Sequence, residues 1–129
     1  MAPAEAVRGL LAVDADFGTA GYAEVSTAVR LLGDRWSLLI VRELAVENTR
    51  FTEIHRALPG LSRSLLVTRL RYLERLGIIE RRSTAALDRR SKQRYALTDV
   101  GRGLTPALQA LGDWALTWQI PIRLQDPTT

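Results

Sequence analysis

Apolar residues recur mostly at three- and four-residue spacing and alternate in only two short stretches, a pattern that predicts helices plus one hairpin. Residues 4–13 place Ala4, Val7 and Leu11 on one face of a weak helix, and 14–21 reads as a linker. Over 24–32, Val25, Ala28, Val29 and Leu32 form a helical stripe that Gly33 ends. Asp34 is placed to cap the next helix, through residue 45. Its Trp36, Leu38, Leu39, Ile40, Val41 and Leu44 are apolar nearly all round, which predicts the central buried helix. An extended piece at Arg50 and Phe51 then leads to a helix capped by Thr52 that stops near residues 58–60.

The clearest local signature begins at Ser62, whose hydroxyl can accept the free N–H groups of a first helical turn. Leu61 and Leu66 have the spacing of a hydrophobic staple. Gly77 sits where a left-handed residue closes a helix, with Ile78 able to meet Leu73 in a Schellman closure. Between these ends Leu66, Leu70 and Leu73 make the buried stripe. The opposite face carries Ser64, Thr68, Arg71 and Arg75, with Arg63 and Val67 on its flank.

Residues 78–83 alternate as a strand, and 93–97 is the antiparallel partner with Tyr95 and Leu97 inward. The loop of residues 84–92 between them is polar and basic. Thr98 is placed to cap one last helical segment, in which Leu104, Leu108, Leu111, Ala115 and Trp118 form a stripe, and Pro121 ends it. Helix, helix and basic hairpin is the order of a winged helix-turn-helix, so the fold class is mainly α with a small β-wing. The expected organisation is an N-terminal extension at 1–22, the winged domain with a C-terminal dimerisation helix at 23–120, and a tail at 121–129.

Charge sharpens this picture. The 129 residues carry a net charge of +4, but residues 61–94 hold ten cations against three acids, +7, and the rest of the chain is −3. A basic block in an otherwise acidic protein is the footprint of a phosphate-backbone binder. Cysteine is absent, which removes disulfides, thiol catalysis and zinc–thiolate sites, and His55 is the one histidine. No nucleophile–base or metal constellation appears, so neither an enzyme nor a cofactor is expected. The apolar runs are short and no secretory signal is visible, so the expected location is the cytoplasm, away from membranes.

The run from Leu32 through Gly33, Asp34, Arg35 and Trp36 to Leu44 resembles the opening helix pair of HxlR-type winged-helix regulators. Arg50-Phe51-Thr52-Glu53-Ile54, then Leu58-Pro59-Gly60-Leu61-Ser62, is similar to that family's approach to its recognition helix. Leu66 to Arg71, Leu73-Glu74, Gly77-Ile78-Ile79, Tyr95-Ala96-Leu97-Thr98 with Gly101, and Asp113-Trp114 continue the likeness, which runs from about Ala23 to Trp118. The resemblance implies a bacterial or archaeal homodimeric transcription factor that binds operator DNA, its dimer formed by N- and C-terminal helices. Many members carry a cysteine ten residues ahead of the glycine. Here that position is Ala23, so thiol sensing does not carry over.

Physical reasoning assigns the candidate contacts independently. A helix fits the major groove, and arginine can pair bidentately with guanine. Arg63, Ser64, Val67, Thr68 and Arg71 are the expected base-edge contacts, and Ser62 at the helix N-terminus suits a phosphate. Arg89, Arg90, Lys92 and Arg94 on the wing are expected to meet phosphates or an adjacent minor groove. Arg69 lies nearer the buried stripe, where pairing with an acid is the alternative. Phe17, Tyr22, Trp36, Trp114 and Trp118 are candidates for an effector pocket for an aromatic small molecule, or for the dimer interface. Plain core packing is the commoner use of such stripes. His55 and the pair Asp14 and Asp16 read as surface groups. The expected function is a sequence-specific regulator that binds an inverted-repeat operator as a homodimer. The alternative is a winged-helix protein–protein interaction module without DNA binding.

Overall fold

The computed structural model describes residues 21–83 and 93–119. The expected helix at 4–13, the wing loop with Arg89, Arg90 and Lys92, and both Phe17 and Pro121 lie outside them. The chain divides into two compact units, Met1–Asp34 and Arg35–Thr129. The described part of the first is helix α1, Tyr22–Leu32. It starts two residues earlier than the stripe predicts, because the Glu24 carboxylate accepts the Gly21 N–H at 3.1 Å and extends the first turn.

The second unit runs α2 (Ser37–Ala45), α3 (Phe51–Ala57), α4 (Arg63–Arg75), β1 (Ile79–Ser83), β2 (Gln93–Leu97), α5 (Asp99–Arg102) and α6 (Thr105–Thr117). Its core is built on α2, where Ile40 and Val41 are wholly buried. Ile54 of α3, Leu66, Leu70 and Leu73 of α4, and Ile79, Tyr95 and Leu97 of the hairpin complete it. The strands pair antiparallel with Ile79 opposite Leu97 and Arg81 opposite Tyr95. The Tyr95 N–H also donates to the Thr49 carbonyl at 2.8 Å, which ties the hairpin to the turn between α2 and α3.

Several expectations are corrected. α2 begins at Ser37 with Trp36 as its N-cap, later than a helix capped by Asp34 would start; Asp34 lies in a bend ahead of the first turn. Nor is α2 apolar all round. Leu39 and Arg42 are exposed, while Glu43 is buried, where Asn48 donates to its Oε1 at 2.8 Å and Arg42 to its Oε2 at 2.9 Å. α3 begins at Phe51 rather than after Thr52. Glu53 in its first turn reaches back, its Oε1 accepting the N–H of Arg50, the N-cap, at 2.9 Å and of Thr49 at 3.2 Å. The strand begins at Ile79, since Ile78 closes α4.

The expected last helix is two. Thr98 caps only α5, accepting the Gly101 N–H at 3.2 Å, and α6 starts afresh with Pro106 in its first turn. Proline lacks the N–H that a continuous helix would need there, and a helix start leaves that donor unused anyway. No helix among the described residues is long and apolar enough to cross a membrane.

Candidate nucleic-acid interface

Helix α4 is fixed at both ends by local chemistry. Ser62 Oγ accepts the Leu65 N–H at 3.1 Å. At the other end Gly77 adopts φ +75°, its N–H reaching the Glu74 carbonyl at 2.9 Å and that of Ile78 reaching Leu73 at 3.0 Å. These two bonds are the Schellman closure that the sequence predicts. Leu66, Leu70 and Leu73 are at most 1% exposed, so the helix cannot rotate about its axis without uncovering them. Burying three leucines stabilises this seating by roughly 1.5–3 kcal/mol each.

That seating turns Ser62, Arg63, Ser64, Thr68, Arg71 and Arg75 to the surface and leaves Val67 half-buried. The face is not uniformly free. Thr68 Oγ1 donates to the Ser64 carbonyl at 3.0 Å, which leaves its hydroxyl to act as an acceptor. The Arg63 guanidinium lies over the Phe51 ring, 5.0 Å from its centroid. Arg69 is half-buried and packs over Tyr72 at 4.7 Å, with Arg75 6.0 Å from the same ring.

Arg71 lines a cleft of about 300 Å³ with Phe51, Val67, Leu70, Glu74, Arg81 and Tyr95. Arg81 Nε donates to Glu74 Oε2 at 3.1 Å, an ion pair that braces β1 against the last turn of α4. Burial pushes the Tyr95 phenol above its ordinary range, a shift that the Arg81 and Arg71 charges oppose. The sequence reading missed Phe51 and Arg81. The alternation along β1 is the signal for Arg81, since Ile79 and Arg81 oppose the inward Leu97 and Tyr95.

Of the four wing cations expected to meet phosphates, Arg94 alone lies among the described residues. It is half-buried, and its Nη1 donates to Thr49 Oγ1 at 3.2 Å, so it sits at the wing root beside the α2–α3 turn. The aromatic candidates separate. Trp36 is half-buried beneath the Arg35 guanidinium, 4.7 Å away, and Tyr22 lies exposed on α1. Trp114 and Trp118 are 57% and 70% exposed, and no residue of α6 is buried. Among the described residues no cluster of side chains could hold a metal ion.

The model of the HxlR-like helix-turn-helix family matches residues 31–122. YvaP, an uncharacterized HTH-type transcriptional regulator of Bacillus subtilis, is 40% identical over 94 residues, 73% of this chain and 85% of YvaP. The transcriptional regulator YodB of B. subtilis, solved in its reduced form, superposes with a TM-score of 0.64 at 33% identity. That match covers 75% of this chain and 92% of YodB. The quinone-bound form of YodB gives 0.62, also at 33% identity, over 74% and 98% of the two chains. A fold that superposes on a known regulator and a family model that spans most of the chain leave one conclusion: the protein belongs to the HxlR-like helix-turn-helix family and is a transcriptional regulator of the winged-helix type.

Proposed function

We propose that the protein binds a specific duplex operator as a homodimer, with α4 as its reading helix. The observation that carries this reading is the seating of α4. A buried leucine stripe and two capped ends hold a short polar and cationic face outward beside a two-stranded wing. Arg63, Ser64, Val67, Thr68 and Arg71 take the base edges. Arginine supplies bidentate pairing with guanine, and the Thr68 methyl suits contact with thymine, since its hydroxyl proton is engaged. Ser62, Arg89, Arg90, Lys92 and Arg94 take phosphates, which add affinity without sequence choice.

The exposed Leu111, Trp114 and Leu116 of α6, with Trp118 at its C-cap, supply the dimer's apolar surface. A two-fold dimer then prefers an inverted repeat with half-sites ~34–36 Å apart. The same tryptophans offer a site for an aromatic effector held by packing, because a chain without cysteine has no thiolate to attack an electrophile such as a quinone.

Selection from a random duplex pool, followed by salt titration of the selected site, tests the reading. Arg71→Ala should relax base preference at defined positions. Arg89→Ala with Arg90→Ala should weaken all sequences alike and lower the salt slope by about one unit per lost phosphate contact. Binding that ignores salt, or a selection that enriches nothing, would point to the protein–protein module instead.

A further inference from the structure

Four arginines of the described residues lie over aromatic rings, and three of these contacts follow from chain proximity. Arg35 covers its neighbour Trp36, while Arg69 and Arg75 flank Tyr72 one helical turn away on either side. The fourth joins two helices. Arg63 is the first residue of α4, and Phe51, which it covers at 5.0 Å, is the first residue of α3. Phe51 is itself held. Its ring stacks on His55 one turn further along α3, with centroids 6.3 Å apart and planes 15° from parallel, and it forms part of the wall shared with Val67, Leu70 and Arg71.

We infer that Phe51 is a specificity-positioning residue, a platform that orients the Arg63 guanidinium for base recognition before DNA arrives. The inference rests on the reading of α4 as the recognition helix and adds to it a residue from outside that helix. Arginine carries large rotamer freedom, and a bidentate bond to guanine is geometrically demanding. An arginine already confined on a ring loses less of that freedom on binding. A ring face offers no ordinary acceptor to the guanidinium N–H groups, and Arg63 has no hydrogen bond or ion pair among the described residues. Its donors therefore stay available while its position is restrained. An acidic partner would restrain it equally well but would occupy those donors and neutralise the charge. Leu65, two residues along α4, is exposed and could not replace the ring across the α3–α4 turn.

The test measures base preference, not affinity alone. Every single base-pair change in the selected operator is titrated against wild type, Arg63→Ala, Phe51→Leu, Phe51→Tyr and the double variant Phe51→Leu with Arg63→Ala. Arg63→Ala identifies the base pairs that Arg63 governs. At those pairs Phe51→Leu should lower discrimination by roughly two- to five-fold, the size of an exposed cation–π contact. It should leave the pairs governed by Arg71 unchanged. Phe51→Tyr should keep the preference, and Phe51→Leu should add nothing once Arg63 is already alanine. Discrimination is a ratio taken on one protein preparation, so a partly unfolded fraction of the leucine variant cancels.

Unaltered preference in Phe51→Leu where Arg63→Ala has a clear effect would overturn this inference and spare the reading of α4. Loss spread evenly over all base pairs would do the same, since it marks a merely structural role. If Arg63→Ala changes no base preference at all, Arg63 is not a reader, and the inference falls with that assignment.

Discussion

Replacing Gly101 by alanine separates steric from conformational control of this fold. Gly101 lies in α5, buried against the start of the hairpin. A Cβ there would sit 2.2 Å from the Ile78 carbonyl oxygen and 3.1 Å from Leu97 Cδ2. A carbon–oxygen contact wants about 3.3 Å, so one side must yield by about 1 Å. The obstacle is backbone and is already engaged: the Ile78 carbonyl accepts the Thr98 N–H and the Thr98 hydroxyl, each at 3.0 Å.

Moving α5 away costs about 1–3 kcal/mol for the forced repacking. Losing one of those hydrogen bonds adds about 0.5–1.5 kcal/mol. Alanine's better helix propensity returns up to about 1 kcal/mol. The middle of each range gives an expected net loss of about 2–3 kcal/mol, between extremes of about 0.5 and 4.5 kcal/mol.

Gly77→Ala is the control. Gly77 has the unusual φ of +75°, yet a Cβ there would meet nothing within 4 Å, so only the left-handed backbone is penalised, at about 1–2 kcal/mol. Guanidinium unfolding followed by circular dichroism, at one fixed protein concentration, gives both losses from midpoints at constant slope. A smaller loss at Gly101 than at Gly77 would refute the reasoning.

Three further outcomes follow from the geometry. Ser62→Ala should lower stability by about 1 kcal/mol through loss of the cap on Leu65, seen as a lowered Tm that Ser62→Asn largely restores. The Glu53 carboxyl is held below its ordinary 4.5, chiefly by the Arg50 N–H, so its contribution is present above pH 4.5 and is lost as pH falls through the lowered value. Glu53→Gln should therefore flatten the acid limb of a stability–pH profile, and an unchanged limb would contradict the assignment. Diamide, at doses that spare tryptophan, should leave operator binding unchanged, and a loss that a thiol reductant reverses would contradict a chain without cysteine.

Where bonding partners are near in sequence, the residues alone were enough to read structure. Ser62, Gly77, Ile78 and the leucine stripe between them predict α4 with its cap, its closure and its buried face. Each is settled by bonds or spacings within a turn or two. Alternation likewise places Tyr95 and Leu97 inward, and the basic block of residues 61–94 marks the electrostatic face. Helix starts were less legible. Thr52 and Asp34 are good capping types, but the N-caps are Arg50 and Trp36, and ahead of α3 it is Glu53 that accepts the N–H groups of Arg50 and Thr49. The split between α5 and α6 was not legible because the apolar stripe begins only at Leu104, beyond α5, and carries no information on the residues between it and the Thr98 cap.

Only the tertiary structure decided which side chains share a surface. Phe51 and Arg63 stand twelve positions apart, and Arg94 reaches Thr49 across forty-five residues of chain. Arg81 finds Glu74 because Arg81 pairs with Tyr95 in the hairpin, and the hairpin packs against α4. Burial of Glu43 depends on Asn48 folding back onto α2. Periodicity reports which face of an element is apolar, because that face repeats along one chain segment. It carries no information about what the polar face will meet, since that neighbour is set by how separate elements pack. The sequence by itself therefore determined the family, the helices with their buried faces and the sign of the charge on the candidate DNA face. The packing of α3, α4 and the wing decided which of its cations are braced by a ring, a carboxylate or a hydroxyl.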